Sequence, residues 1–322
     1  MRNLSYAQAI NEALGQLIRT DPNVLLIGQG VTSPWYVGTT TTGLIEEFGE
    51  KRVIDTPVSE NGVTGIAVGA SLAGMRPIVV HPRMDFMYYA MDQIANQAAN
   101  WYYMFGGKVN VPLTIWGIIN RGGEQASQHS QALQSLFMHI PGVKVVMPST
   151  PFDAKGLLIS AVYDDNPVIY IDDRWLYSLV SDVPEEIYRV PIGKAIIRKE
   201  GSDVTVVATS FMVSEVLKSA QELEKEISIE VVDLLSIKPL DKELLFSSVK
   251  KTGKLIVVDG GWGTCGISAE ISSLVADQCF ECLKAPIKRI ALPDSPAPMS
   301  LTLEEIYYPR AHNITKAVKS LI

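Results

Sequence analysis

Short apolar runs alternate along the chain with longer stretches whose apolar positions recur at helical spacing, the rhythm of βαβ units in a parallel sheet covered on both faces. In the first half the strand candidates are NVLLIG (23–28), RVIDTPV (52–58), PIVVH (77–81), VPLTIWG (111–117), VKVVMP (143–148) and PVIYID (167–172). The rhythm restarts with DVTVVAT (203–209), ISIEVVD (227–233), KLIVVDG (254–260) and PIKRIAL (286–292), with helical spacing between them. This predicts an α/β protein built of two doubly wound domains.

Residues 179–199 (LVSDVPEEIYRVPIGKAIIRK) mix two prolines with charges of both signs and read as an interdomain connection carrying a strand or two. The boundary falls near 190, giving domains 1–190 and 191–322. A chain of 322 residues exceeds what one core usually serves, and each half is long enough to bury its own. One helix start is legible in detail: Thr150 is placed to cap, with Pro151 in the first turn, where a missing N–H costs nothing. A long helix is also expected to follow the strand at 77–81 through MDFMYYAMDQIANQAANWYYMF.

Composition narrows the partners. With 47% apolar and 20% charged residues the chain reads as folded throughout. The net charge of −7 comes with no basic run, which excludes a nucleic-acid partner. No apolar stretch reaches the roughly 18 to 20 residues that cross a bilayer, and the start MRNLSYAQAINEA lacks the basic head and apolar core of a signal peptide. A cytoplasmic protein with no membrane contact is expected. Cys265, Cys279 and Cys282 are an odd set, and the CxxC of the last two lies in a helix-like segment without other metal ligands, so packing is their role.

Three segments carry candidate chemistry. DTPVSENG (55–62) ends a strand and starts a helix of small residues, which puts Glu60 at the carboxyl edge of a parallel sheet beside a helix N-terminus. Taken alone, Glu60 is equally a first-turn glutamate, and Phe86, at a strand-to-helix junction, is equally a core residue. The polar loop NRGGEQASQHSQ (120–131) brings His129, whose imidazole either moves protons or hydrogen-bonds its own loop.

Together with YMFGG, QHSQALQSLFMHIPGVKVVMPSTPFDAKGLL, DDNPV, VPIGKA, KPLD and VVDGGWGTCGISAEI, these segments resemble, in order and along nearly the whole chain, the beta subunits of thiamine-diphosphate-dependent 2-oxoacid dehydrogenases of the pyruvate, branched-chain and acetoin type. The resemblance implies a pyrimidine-binding domain, a transketolase-type C-terminal domain and an α2β2 heterotetramer with active sites between chains. It makes Glu60 the carboxylate on N1′ of the aminopyrimidine, so that the 4′-nitrogen removes the thiazolium C2 proton. Phe86 becomes the ring stacked on the pyrimidine, His129 faces substrate or the acyl acceptor, and His139 is structural. It also implies K+ held at Leu113, Ala161, Asp164 and Asn166. The GDG…N motif that holds Mg²⁺ and the diphosphate in such enzymes is missing here, so an alpha subunit must supply it.

The chain departs from the family pattern at His81, Pro82 and Arg83, at Arg121 and Glu124, and at Cys265, which stands where relatives have glycine. Arg83, Arg121 and Glu124 border the implied site and are candidate substrate contacts. The main reading is therefore a decarboxylating component acting on a 2-oxoacid and passing an acyl group to the lipoyl domain of an acyltransferase. Two alternatives stand beside it. One is a carbon–carbon ligase of transketolase or acyloin-synthase type with a polar or phosphorylated acceptor, and the other is a non-catalytic scaffold subunit.

Overall fold

The apolar runs form strands close to where the alternation places them, in a computed structural model that describes residues 2–123 and 125–322. The chain opens with β1 (Arg2–Ser5) and a helix (Tyr6–Thr20) capped by Ser5, whose side chain accepts from the Gln8 N–H while Gln8 reaches back to the Ser5 N–H. The strands β2 (Val24–Gln29), β3 (Val53–Thr56), β4 (Arg76–His81), β5 (Thr114–Ile119), β6 (Lys144–Val146) and β7 (Val168–Asp173) follow, with helices between them. After β8 (Val180–Val183) come β9 (Ile196–Lys199), β10 (Val204–Ala208), β11 (Ile229–Asp233), β12 (Ser236–Lys238), β13 (Leu255–Trp262) and β14 (Lys288–Leu292).

The first sheet runs β12-β6-β7-β5-β4-β2-β3 and is parallel except for β12. Its strands are buried on both faces, as continuous Val/Ile runs require. The chain leaves β2 toward the β3 edge and then returns to β4 on the other side of β2. That reversal opens a crevice at the carboxyl ends of β2 and β4. The second sheet runs β14-β13-β10-β11-β9, with only β9 antiparallel, and β1 pairs with β8 in a separate ribbon.

One face of the first sheet packs on the Tyr6–Thr20 and Pro151–Val162 helices, around buried Trp116 and Tyr170. Thr150 caps the second of these, accepting from the Asp153 N–H at 3.2 Å, with Pro151 in its first turn. On the other face Met84, Met87, Ile94 and Phe137 belong to an apolar cluster that continues into Leu234, Leu245 and Val257. The two halves thus share this cluster, while the second half also buries one of its own around Val206, Val216 and Ile314.

The long helix expected after β4 is broken. Residues Met84–Ala90 are a 3₁₀ helix, Asp92–Ala98 wind as a π-helix, and only Trp101–Met104 are α-helical. The Ala99 N–H reaches back to the Ile94 carbonyl at 3.0 Å, and Asn100 donates from its side chain to the Ala95 carbonyl at 2.8 Å. Side-chain competition for main-chain acceptors goes with the wider winding, a form frequent near functional sites.

No helix among the described residues is long and apolar enough to cross a membrane. The three cysteines are free, with Cys279 buried at the end of the Ile267–Cys279 helix.

Candidate active site

A cavity of about 750 Å³ opens at the reversal of the first sheet. Each of the four strands there contributes from its carboxyl end: Gln29 closes β2, Val58 and Glu60 follow β3, His81, Arg83 and Phe86 come at and after β4, and residues 125–129 follow β5. Met299 reaches the rim from the C-terminal half.

Glu60 is the first residue of the Glu60–Leu72 helix and half-buried, so its carboxylate lies at the positive end of that helix. Phe86, also half-buried, meets the His129 ring edge to face at 5.4 Å. Burial first, and then the charge of Arg83, hold the His129 imidazole below its ordinary value, which favours the neutral form that can take a proton.

Asp85 fixes this arrangement from behind. Its Oδ1 accepts the Gln131 N–H at 3.0 Å, tying the loop that carries His129 to the turn that carries Phe86. Burial raises its carboxyl to about 6. His81, fully buried, sits 3.2 Å from the Thr64 hydroxyl, and burial lowers it to about 4. Asp55 organises the other lip by accepting from the Gly30 N–H at 2.7 Å and from the Thr32 hydroxyl.

Glu60, Phe86, Arg83 and His129 therefore line one cavity, whereas Arg121 does not line it. Gly122 and Gly123 both take positive φ, a reversal open to glycine, and Arg121 just before them points inward. Its guanidinium pairs with buried Asp173, donates to the Gly260 carbonyl at 2.7 Å and lies 5.0 Å from the Trp175 ring. Arg121 is therefore set apart from the cavity where substrate contact was expected of it: Nη2 pairs with Asp173, Nη1 reaches Gly260 of the second half, and Nε is buried without a partner. Glu124 lies outside the described residues.

Sequence reading missed Gln29, Trp35, Tyr36, Tyr89, Gln128, Met299 and the supporting Asp85. Gln29 had a signal, being the last residue of a strand beside the reversal. Met299 had none, because only tertiary packing brings it there.

Among the positions matched to a monovalent cation, the Leu113 carbonyl accepts from the Val168 N–H at 3.0 Å and the Ala161 carbonyl from the Asp164 N–H at 3.3 Å. The Asp164 carboxylate pairs with Lys144 and accepts from the Asn166 N–H at 2.9 Å. Asn166 Oδ1 is buried without a partner. In the VVDGG segment Asp259 is buried and accepts from Gln134 at 2.9 Å and from the Gly261 and Ile267 N–H groups at 2.9 and 3.1 Å. It braces its own loop.

Sheet order and cavity define an α/β protein with a ligand site at the reversal point of its first sheet. Comparison with known proteins sharpens this. Residues 2–178 match the transketolase pyrimidine binding domain and residues 193–314 the transketolase C-terminal domain. The chain is 43% identical to the acetoin:2,6-dichlorophenolindophenol oxidoreductase subunit beta of Bacillus subtilis, covering 100% of this chain and 98% of that one. It is 40% identical to the pyruvate dehydrogenase E1 component subunit beta of the same organism, covering 100% and 99%. A solved structure described as a split gene transketolase, inactive beta4 tetramer, superposes with a TM-score of 0.80 over 99% of this chain and 98% of that chain at 23% identity, a likeness of fold. The chain belongs to the family of transketolase-type beta subunits that includes the acetoin and pyruvate dehydrogenase components.

Proposed function

We propose that this chain is the beta subunit of a thiamine-diphosphate-dependent 2-oxoacid dehydrogenase, the decarboxylating component, working with an alpha subunit in an α2β2 assembly. The observation that carries the reading is the convergence of Glu60, Phe86 and His129 on one cavity at the sheet reversal. These residues fit the pyrimidine half of the cofactor: a flat heterocycle takes the Phe86 face, and a ring nitrogen takes the Glu60 carboxyl. When bound, thiamine diphosphate supplies a carbon acid whose conjugate base adds to a 2-keto carbon.

The residues of this chain do the rest. Glu60 holds a proton at N1′ and so biases the aminopyrimidine toward the tautomer that can act as a base. Neutral His129 receives or returns a proton at the substrate oxygen or at the acyl acceptor. Phe86 holds the heterocycle flat, and Asp85 keeps the His129 loop in register with it.

The diphosphate and Mg²⁺ belong on the alpha subunit, because this chain has no GDG and its nearest string uses Asp259 internally. Support for a covering partner is the rim itself, where Trp35, Val58, Tyr89 and Met299 are large apolar side chains left exposed around the cavity. The orphaned Asn166 Oδ1 and the carbonyls of Leu113 and Ala161, with Asp164, are the groups that would hold K+. Domains of 1–190 and 191–322 and a cytoplasmic compartment, in keeping with three free cysteines, complete the proposal. A lipoyl acyltransferase is the downstream partner under this reading.

Exchange of the cofactor C2 proton, followed by NMR in the assembled complex, tests it. Glu60→Gln slows exchange by about 100-fold or more, because an amide cannot carry the proton. An exchange rate equal to wild type removes Glu60 from the chemistry and the reading with it.

A further inference from the structure

Arg83 is 8% exposed and lines the cavity, yet it has no ion-pair partner among the described residues. Its Nη1 donates to the Pro82 and Tyr36 carbonyls at 2.8 and 3.2 Å. Its Nε is buried without an acceptor, and no acceptor among the described residues meets Nη2. The Tyr36 carbonyl is shared with Arg174, whose Nη2 donates to it and to the Trp35 carbonyl, both at 3.1 Å, while its Nη1 donates to Asn120. Two guanidinium groups thus meet at one carbonyl with no carboxylate between them. Asp85 lies within electrostatic reach of Arg83 but forms no ion pair with it, its Oδ1 accepting the Gln131 N–H and its Oδ2 buried without a partner.

A buried guanidinium with an unused Nε/Nη2 edge is costly unless an anion arrives from outside, and that edge is a fork matched to a carboxylate or phosphate. Arg83 and His129 line the same cavity.

Resting on the proposed decarboxylating function, we infer that Arg83 is a specificity-determining residue that binds a carboxylate or phosphate carried by the part of the substrates that survives decarboxylation. The carboxylate that leaves is the wrong partner. It becomes neutral carbon dioxide, so a guanidinium on it would stabilise the ground state more than the transition state and slow the step. The anion recognised is therefore borne either by the far end of the 2-oxoacid or by the carbonyl acceptor of the acyl group.

The test uses the assembled α/β complex and two matched pairs. The donor arm compares 2-oxoglutarate with 2-oxovalerate, read with an artificial electron acceptor. The acceptor arm compares glycolaldehyde phosphate with glycolaldehyde, read by carbon–carbon bond formation. In one arm wild type prefers the anionic member, and Arg83→Gln lowers the anionic-to-neutral ratio of kcat/KM by about 30-fold or more. Arg83→Lys keeps the charge but loses the fork, and lowers the same ratio by an intermediate factor of about ten. The lysine variant carries the test if the glutamine variant does not fold. Absence of an anionic preference in wild type, or ratios that move less than about threefold in both arms, overturns the inference. Cofactor C2 exchange in wild type separates the two claims: a complex that exchanges normally but shows no anionic preference loses Arg83 as a specificity residue and keeps the decarboxylase reading.

Discussion

His81 ends β4 at the cavity, fully buried against Thr64 and lowered to about 4 by that burial. An unfolded histidine takes its proton near the ordinary value of about 6.5. Between these values the unfolded chain binds more protons than the folded one, so stability falls as pH drops through that window, by about 3 kcal/mol in full. Asp85, Asp172 and Asp233, raised by burial to about 6, 7 and 6, act in the opposite direction and mask the slope. Comparison with His81→Gln isolates it. In urea unfolding, the stability of wild type minus that of the variant should decrease by about 3 kcal/mol between pH 7 and pH 4. A difference independent of pH would mean that His81 is protonated or solvated in the folded chain. At this scale Glu60, Phe86 and His129 were legible because each lies in a local segment whose order along the chain is itself informative. Arg121 was not, since sequence shows that a loop is polar but not which way a side chain leaves a double-glycine reversal. Cys265 shows the converse: it holds φ at +53°, the left-handed region that favours glycine, the residue the family resemblance led one to expect there.

Among the elements, the strands were legible and their neighbours less so. β-Branched runs of five or six residues bounded by turns have one stable use, and the ten expected strands all formed. β12 has three residues, Ser236–Lys238, and exists because the tertiary fold lays it antiparallel against β6 in the other half's sheet. The π-wound segment after Phe86 escaped notice because its composition suits an α-helix and only side-chain competition redirects it. The turn at Gly142 connects these levels. Gly142 has φ +88°, and a Cβ there would lie 2.0 Å from the Ala99 carbonyl oxygen at the end of the π-helix. Gly142→Ala therefore should cost about 2 kcal/mol or more, from left-handed strain plus a main-chain clash, measured as a shift in the unfolding midpoint. Stability within about 0.5 kcal/mol of wild type would show that the π-wound segment and this turn move apart freely.

At the scale of the whole molecule the two halves are joined by more than a linker. Arg198 bridges buried Asp153 of the first half and Asp233 of the second, and Ser149 donates to Asp233. Arg121 adds the contact with Gly260, and the apolar cluster is continuous. Such an interior was not legible from the rhythm of strands, which shows two domains but not how much they share. The rim of exposed Trp35, Tyr89 and Met299 points outward to a partner in the same way. Under the proposed function this chain grips only the pyrimidine half of thiamine diphosphate. Calorimetric titration of Mg²⁺ and thiamine diphosphate into the chain alone, and into the chain mixed with the alpha subunit, tests it most directly. The expected result is tight binding by the mixture and weak or undetectable binding by the chain alone. Equal affinity in both titrations would contradict it.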